Sequence, residues 1–159
     1  MKRYANIVVL LAATALLALL STPSSGKEPE DVLIERINHV RMDHGLRPLA
    51  YAGDQVRQVA RSYSERMLAR GFFAHRDDQG QTAGDRLTTS GVDWRVVGEN
   101  LLEDVGTASS DVVVDEAIDA WLQSPGHRAN ILSDRYTQTA IGFASNGGRT
   151  YLTQLFLAR

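Results

Sequence analysis

The chain of 159 residues contains no cysteine. That excludes disulfide staples, thiolate nucleophiles and any cysteine-based zinc site. Histidine is scarce, with four in all, so imidazole chemistry has few places to sit. Charge of one sign is missing too: 17 basic and 19 acidic residues leave a net charge of -2. The arginines form no block, and nucleic acid binding has no electrostatic footprint. There is no phosphate-binding glycine loop, no His-Glu-x-x-His, no Gly-x-Ser-x-Gly elbow and no internal repeat. The one long apolar run, Ile7 to Leu20, is shorter than the about 20 residues a membrane-spanning helix needs.

That run follows Met1-Lys2-Arg3 and leads into Ser21 to Gly26, which are small residues around Pro23. Basic start, apolar middle and small-residue exit, in that order, predict a secretory signal peptide over residues 1–26. The expected mature domain is then 27–159, secreted or periplasmic, with no membrane span once the signal is removed. A single domain of that size can bury a core by packing alone.

Periodicity predicts a helix from Glu28 to His44, with Leu33, Ile37 and Val40 on one face and Gly45 as its stop. A second helix is expected from an Asp54 cap to Gly71, and a short third one over Ala83 to Thr89. Strand character runs from Arg95 to Leu102. Asp111 opens another helix, striped by Val114, Ala117, Ile118, Trp121 and Leu122. Ser124-Pro125 is a cap followed by a first-turn proline, starting a helix to about Leu132. Ala140–Ala144 and Thr150–Leu157 read as strands joined at Asn146-Gly147. The fold class is α+β, a small antiparallel sheet covered by helices.

Chemistry concentrates in few residues. His39 and His44 lie five apart on the first helix, a rotation of about 140°, so they share no face. His75 follows Phe72-Phe73-Ala74, an aromatic pair placed to anchor the loop presenting it. His127 occupies the third position of the helix after Ser124, where the helix dipole favours a neutral imidazole. A neutral imidazole is the form that binds metal or acts as a base. Glu99 stands in Gly98-Glu99-Asn100 at a strand, where a carboxylate must find a partner or be protonated. On spacing alone, each of the three carries a structural reading beside the functional one. The Ser124 hydroxyl is read as a helix cap rather than a nucleophile beside His127.

These segments together resemble the CAP superfamily: the cysteine-rich secretory, antigen 5 and pathogenesis-related proteins, with their SCP-like domain. The resemblance is to short bacterial secreted members. It rests on Asn38-His39-Val40-Arg41 with Gly45 and Leu49, on Phe73-Ala74-His75, and on Gly98-Glu99-Asn100. It rests most on Trp121-Leu122-Gln123-Ser124-Pro125-Gly126-His127-Arg128-Ala129-Asn130-Ile131-Leu132, with Thr153-Gln154-x-Phe156 closing. It implies an α-β-α sandwich and a cleft where two histidines and two glutamates converge, a place where some members bind zinc. Three of the four positions are kept, as His75, Glu99 and His127; the fourth is Ser124.

The resemblance therefore implies His75 and His127 as metal ligands for weakly held zinc, and Glu99 as the candidate catalytic carboxylate. His75, Glu99, His127 and Ser124 would line the ligand cleft. Family members are associated with lipid or sterol binding, protease-like activity and signalling, and one fold serves many roles. The leading reading is a binding module for a lipid, peptide or envelope ligand. Its alternative is a zinc-assisted or acid-base hydrolase of peptide or cell-wall material, and a third is a polar triad that only locks the fold.

Overall fold

The computed structural model describes residues 27–106 and 110–159, without the side chains of 110 and 111. The segment read as a signal peptide lies outside the described residues. The first helix, α1 (Pro29–Asp43), has Pro29 in its first turn, where a missing N–H costs nothing. After it come β1 (Ala50–Tyr51), α2 (Asp54–Arg70), α3 (Ala83–Thr89) and β2 (Val96–Val105). The chain continues through α4 (Ser110–Gln123), α5 (Pro125–Ile131), β3 (Gln138–Ser145) and β4 (Arg149–Ala158).

The strands form one sheet in the order β1-β3-β4-β2. Pairs β2–β4 and β3–β4 are antiparallel, but β1 runs parallel to β3. The sheet is therefore mixed, where the sequence suggested an antiparallel one. Two residues after Pro48 are too short a run to show period-two patterning. The β3–β4 hairpin turns where expected, with Asn146 Oδ1 accepting from the N–H groups of Gly148 and Arg149.

The pleat sorts β3 and β4 between two cores. Ile141, Leu152 and Phe156 face one way, into a cluster with Leu33 and Ile37 of α1, Val114 and Trp121 of α4, and Ile131 of α5. Ala140, Leu155 and Leu157 face the other way, against Val56 and Ala60 of α2 and Leu87 of α3. Helices thus cover both faces, giving the three-layer α-β-α sandwich. On the α2 side the layers nearly touch at Gly142. A Cβ there would sit 2.1 Å from the backbone nitrogen of Arg61.

Two helix starts differ from expectation. Gly53, not Asp54, caps α2, and makes no side-chain bond. The Asp54 carboxylate instead accepts from the Tyr51 hydroxyl at 2.7 Å. Ser124 does stand at the cap of α5, but its hydroxyl bonds none of that helix's N–H groups. Its backbone joins the two helices instead. Ser124 N–H donates to Ala120 as the end of α4, and Ser124 C=O accepts from Arg128 as the start of α5.

Candidate functional site

Glu99 and Asn100 are neighbours on β2, so their side chains leave opposite faces of the sheet. Glu99 enters the α2/α3 side and Asn100 the α4/α5 side. Each holds one histidine. Gly98, just before them, is needed as glycine. A Cβ there would lie 2.3 Å from the Tyr136 hydroxyl oxygen.

His75 is carried on the loop leaving α2, which Gly71 terminates in the left-handed conformation at φ 67°. Phe72 anchors that loop, edge-on to Tyr63 at 6.2 Å, in a cluster with Met67, Leu101 and Tyr151. Phe73, though partly exposed, lies against the Tyr151 ring at 6.1 Å, so both aromatics hold the loop. Asp77 closes the loop from inside, accepting from the N–H groups of Gln79 and Gln81 at 2.9 Å each. Burial pushes the Asp77 carboxyl up. Those two N–H groups, with Arg66 and Arg86, outweigh it and hold the group below the ordinary aspartate range.

The His75 ring is exposed, and its Nδ1 lies 2.8 Å from Glu99 Oε1. The other Glu99 oxygen accepts from Arg86 of α3. Both carboxylate oxygens are therefore committed. Arg86 also donates to the Gln81 carbonyl at 3.0 Å and stacks its guanidinium 3.4 Å over the Tyr63 ring. Arg86 escaped the sequence reading. Its signal was a charge three residues from Ala83 and beside Leu87, on the apolar face of a short helix.

His127 sits in the first turn of α5. Asn100 fixes that turn by donating to the His127 carbonyl at 3.2 Å. Asn130 donates to Asn100 Oδ1 at 2.9 Å and to the Glu99 carbonyl at 3.2 Å. From α4, Trp121 donates its indole N–H to the Leu101 carbonyl at 2.9 Å. Burial first, and the His75 charge second, hold His127 below the ordinary histidine range. The direction matches the helix-dipole argument, but the cause is different.

The two imidazoles approach across β2, with centroids 6.5 Å apart and planes tilted by 58°. Beside His75, a cleft of about 280 Å³ runs along Gly98 and Glu99 to the Trp94 indole. The structure thus brings His75, Glu99 and His127 together. Ser124, three residues before His127, is half-buried, and no hydrogen bond ties it to His75 or Glu99 among the described residues. His39 on α1 and His44 at its C-terminal cap are exposed and lie outside the site. Among the described residues no group of three or more His, Asp or Glu converges as a metal site.

The sequence pattern of the CAP family, described as the cysteine-rich secretory protein family, matches residues 34–156. The chain belongs to the CAP family. Among CAP relatives, YkwD of Bacillus subtilis (strain 168) is 29% identical over 139 residues, covering 87% of this chain and 51% of that protein. The chain thus spans about half the length of that relative. An extracellular protein containing an SCP domain, from Bacillus anthracis str. Ames, has TM-score 0.69 at 29% identity, over 82% of this chain and 40% of that one. NaASP2, solved with Zn2+, has TM-score 0.62 at 12% identity, over 82% of this chain and 80% of that one, which shows the shared CAP fold alone.

Residues conspicuous in the sequence divide accordingly. Asn38 clamps Leu49 through both its backbone groups, at 2.8 and 3.0 Å. Arg41, buried, holds the carbonyls of Arg47 and Ser133. Those motif residues build the frame, while Glu99, Asn100 and Asn130 set the histidines.

Proposed function

We propose that this CAP domain is an extracytoplasmic binding module whose polar cleft is organised around a metal-capable histidine pair. The carrying observation is that both Glu99 oxygens are engaged by the protein. With His75 on one and Arg86 on the other, its evident role is to orient an imidazole. A hydrolase scheme with Glu99 as general base would first have to break a buried ion pair.

The donor set suits a weak divalent site. A carboxylate bonded to the far nitrogen of a ligating histidine is the usual supporting arrangement around zinc. His75 would ligate through Nε2, because Nδ1 is taken by Glu99, and His127 would be the second ligand. Zinc bound there would supply a Lewis-acidic centre for an oxygen of the ligand. Two protein ligands fall short of the three typical of catalytic zinc, so retention is expected to be weak and turnover slight.

The ligand class remains a lipid, peptide or envelope component meeting the cleft between His75 and Trp94. Extracytoplasmic placement is supported by the extracellular Bacillus anthracis relative and by the apolar pattern of residues 7–20. No described helix is long and apolar enough to cross a membrane.

Calorimetric titration with Zn²⁺ tests the proposal. Binding that is lost in both His75→Ala and His127→Ala supports it. Unchanged affinity in both variants removes the metal. Zinc-dependent cleavage of a peptide or muropeptide, abolished by Glu99→Gln, would replace the binding module with the hydrolase.

A further inference from the structure

A cavity of about 320 Å³ lies between the turn that follows α1 and the segment joining α5 to β3. Arg41, Arg47 and Asp134 give its wall charge, and Leu46, Pro48 and Tyr136 give it apolar surface. Neither His75, Glu99 nor His127 lines it.

Arg41 is only 2% exposed, yet it forms part of this wall. Its Nε donates to the Arg47 carbonyl, and its Nη1 donates to the carbonyls of Ile131 and Ser133. Nη2 has no hydrogen-bond partner among the described residues. The unpartnered side-chain atoms fully sealed from solvent are Arg57 Nε, Arg86 Nε, Asp104 Oδ2 and Gln138 Oε1. Arg41 Nη2 is not one of them, so it keeps accessible surface, and the surface Arg41 shows lies in the cavity wall. Among the described residues no carboxylate forms an ion pair with Arg41. A guanidinium taken out of water with carbonyls alone for partners is under-compensated. Burial accordingly lowers its pKa, and the Asp134 charge opposes this only in part.

Charge and shape decide the ligand class. Arg47 is exposed and likewise makes no ion pair among the described residues. The wall therefore sets two guanidinium groups against one carboxylate, Asp134. A surplus of one positive charge suits a monoanion, and Asp134 disfavours a dianion. The planar guanidinium fork matches the two oxygens of a carboxylate. We infer that this cavity binds a small carboxylate anion, held by Arg41 Nη2 and the Arg47 guanidinium, with its aliphatic part against Leu46 and Pro48. A free short-chain acid and the C-terminus of a peptide both present that group. The site uses no histidine and no metal, so it stands apart from the function proposed above.

The test is a titration of the ¹⁵N-labelled, zinc-free protein at constant ionic strength, with acetate, N-acetylalanine and inorganic phosphate as separate arms. The expected result is saturable shifts of the Arg41 Nε–H and of the Leu46 and Thr137 amides with at least one of the two carboxylates. Tighter acetate binding assigns the site to free acids, and tighter N-acetylalanine binding assigns it to a peptide C-terminus. Arg47→Gln, at an exposed position, is expected to weaken the carboxylate about five- to tenfold through loss of a charge-assisted hydrogen bond. Asp134→Asn, also exposed, is expected to tighten it about two- to fivefold by removing a like charge. A purely structural role for these two residues would produce neither change. Phosphate binding tighter than both carboxylates would overturn the proposal. So would the absence of saturable shifts in both carboxylate arms, or an affinity unchanged in either variant.

Discussion

Glu99 Oε1 lies 2.8 Å from His75 Nδ1, and the same carboxylate is ion-paired to a buried arginine on its other oxygen. The order Arg86–Glu99–His75 passes from the protein interior to an exposed imidazole. Replacing the carboxylate should therefore act at both ends. Glu99→Gln is expected to lower zinc affinity about tenfold to hundredfold, as for other supporting carboxylates. It should also cost roughly 3 kcal/mol of stability by leaving Arg86 without its counter-charge. Calorimetry reads the first effect and denaturant unfolding the second. A stable variant with unchanged zinc affinity would contradict the arrangement.

His127 makes stability depend on pH in a defined direction. Its pKa is lowered in the folded state, by burial first and by His75 second. As pH falls through the ordinary histidine value near 6.5, the unfolded chain takes up this proton before the folded chain does. The contribution is therefore complete above that value and is lost as pH falls through the folded pKa. Imidazole NMR titration should place His127 below 6.5. His127→Gln should remove the corresponding part of the stability loss on acidification.

Asp77 governs the loop that carries His75, at lower pH. Its folded pKa is depressed because the Gln79 and Gln81 N–H groups outweigh burial. Its stabilisation is present above the unfolded aspartate value and is lost as pH falls through the lower folded one. Asp77→Asn is expected to cost about 1–3 kcal/mol by weakening these charge-assisted bonds. Hydrogen exchange at Gln79 and Gln81 should quicken in that variant while the β3–β4 ladder stays protected. Equal exchange in both regions would show global unfolding instead.

Gly98 offers a packing test beside the site. A Cβ there would meet the Tyr136 oxygen at 2.3 Å and its ring carbon at 2.7 Å. Gly98→Ala is expected to destabilise by about 1–3 kcal/mol through overpacking. Adding Tyr136→Phe should recover part of that loss, because it removes the nearer of the two clashing atoms. No recovery would mean that backbone freedom, rather than space, is what Gly98 provides.

The helices were legible because their apolar stripes and stops are local. Leu33, Ile37, Gly71 and Ser124-Pro125 each announce an element from a few neighbours. The parallel β1 strand was not legible, since Ala50 and Tyr51 pair with residues about 90 positions away. The meeting of His75, Glu99 and His127 came from the family resemblance, and no spacing rule contains it. Arg86 was missed because a buried guanidinium shows its worth only through Glu99 and Tyr63, which lie far from it in the chain. Ser124 was misread because propensity names a residue type for a cap but does not say whether its hydroxyl reaches the first-turn N–H groups.

The bonds that Trp121 and Asn130 make to β2 have a consequence beyond the cleft. β2 is an outer strand, paired with β4 on one side only. The carbonyls of Leu101 and Glu99 are taken by the Trp121 indole and the Asn130 amide. An unpaired strand border normally invites another chain to add a strand, which is the first step of aggregation. Here two side chains of the Trp-to-Asn signature occupy the acceptors such a chain would use. The same short stretch that presents His127 also keeps the sheet from growing, so losing Asn130 should cost solubility as well as the set of the histidine.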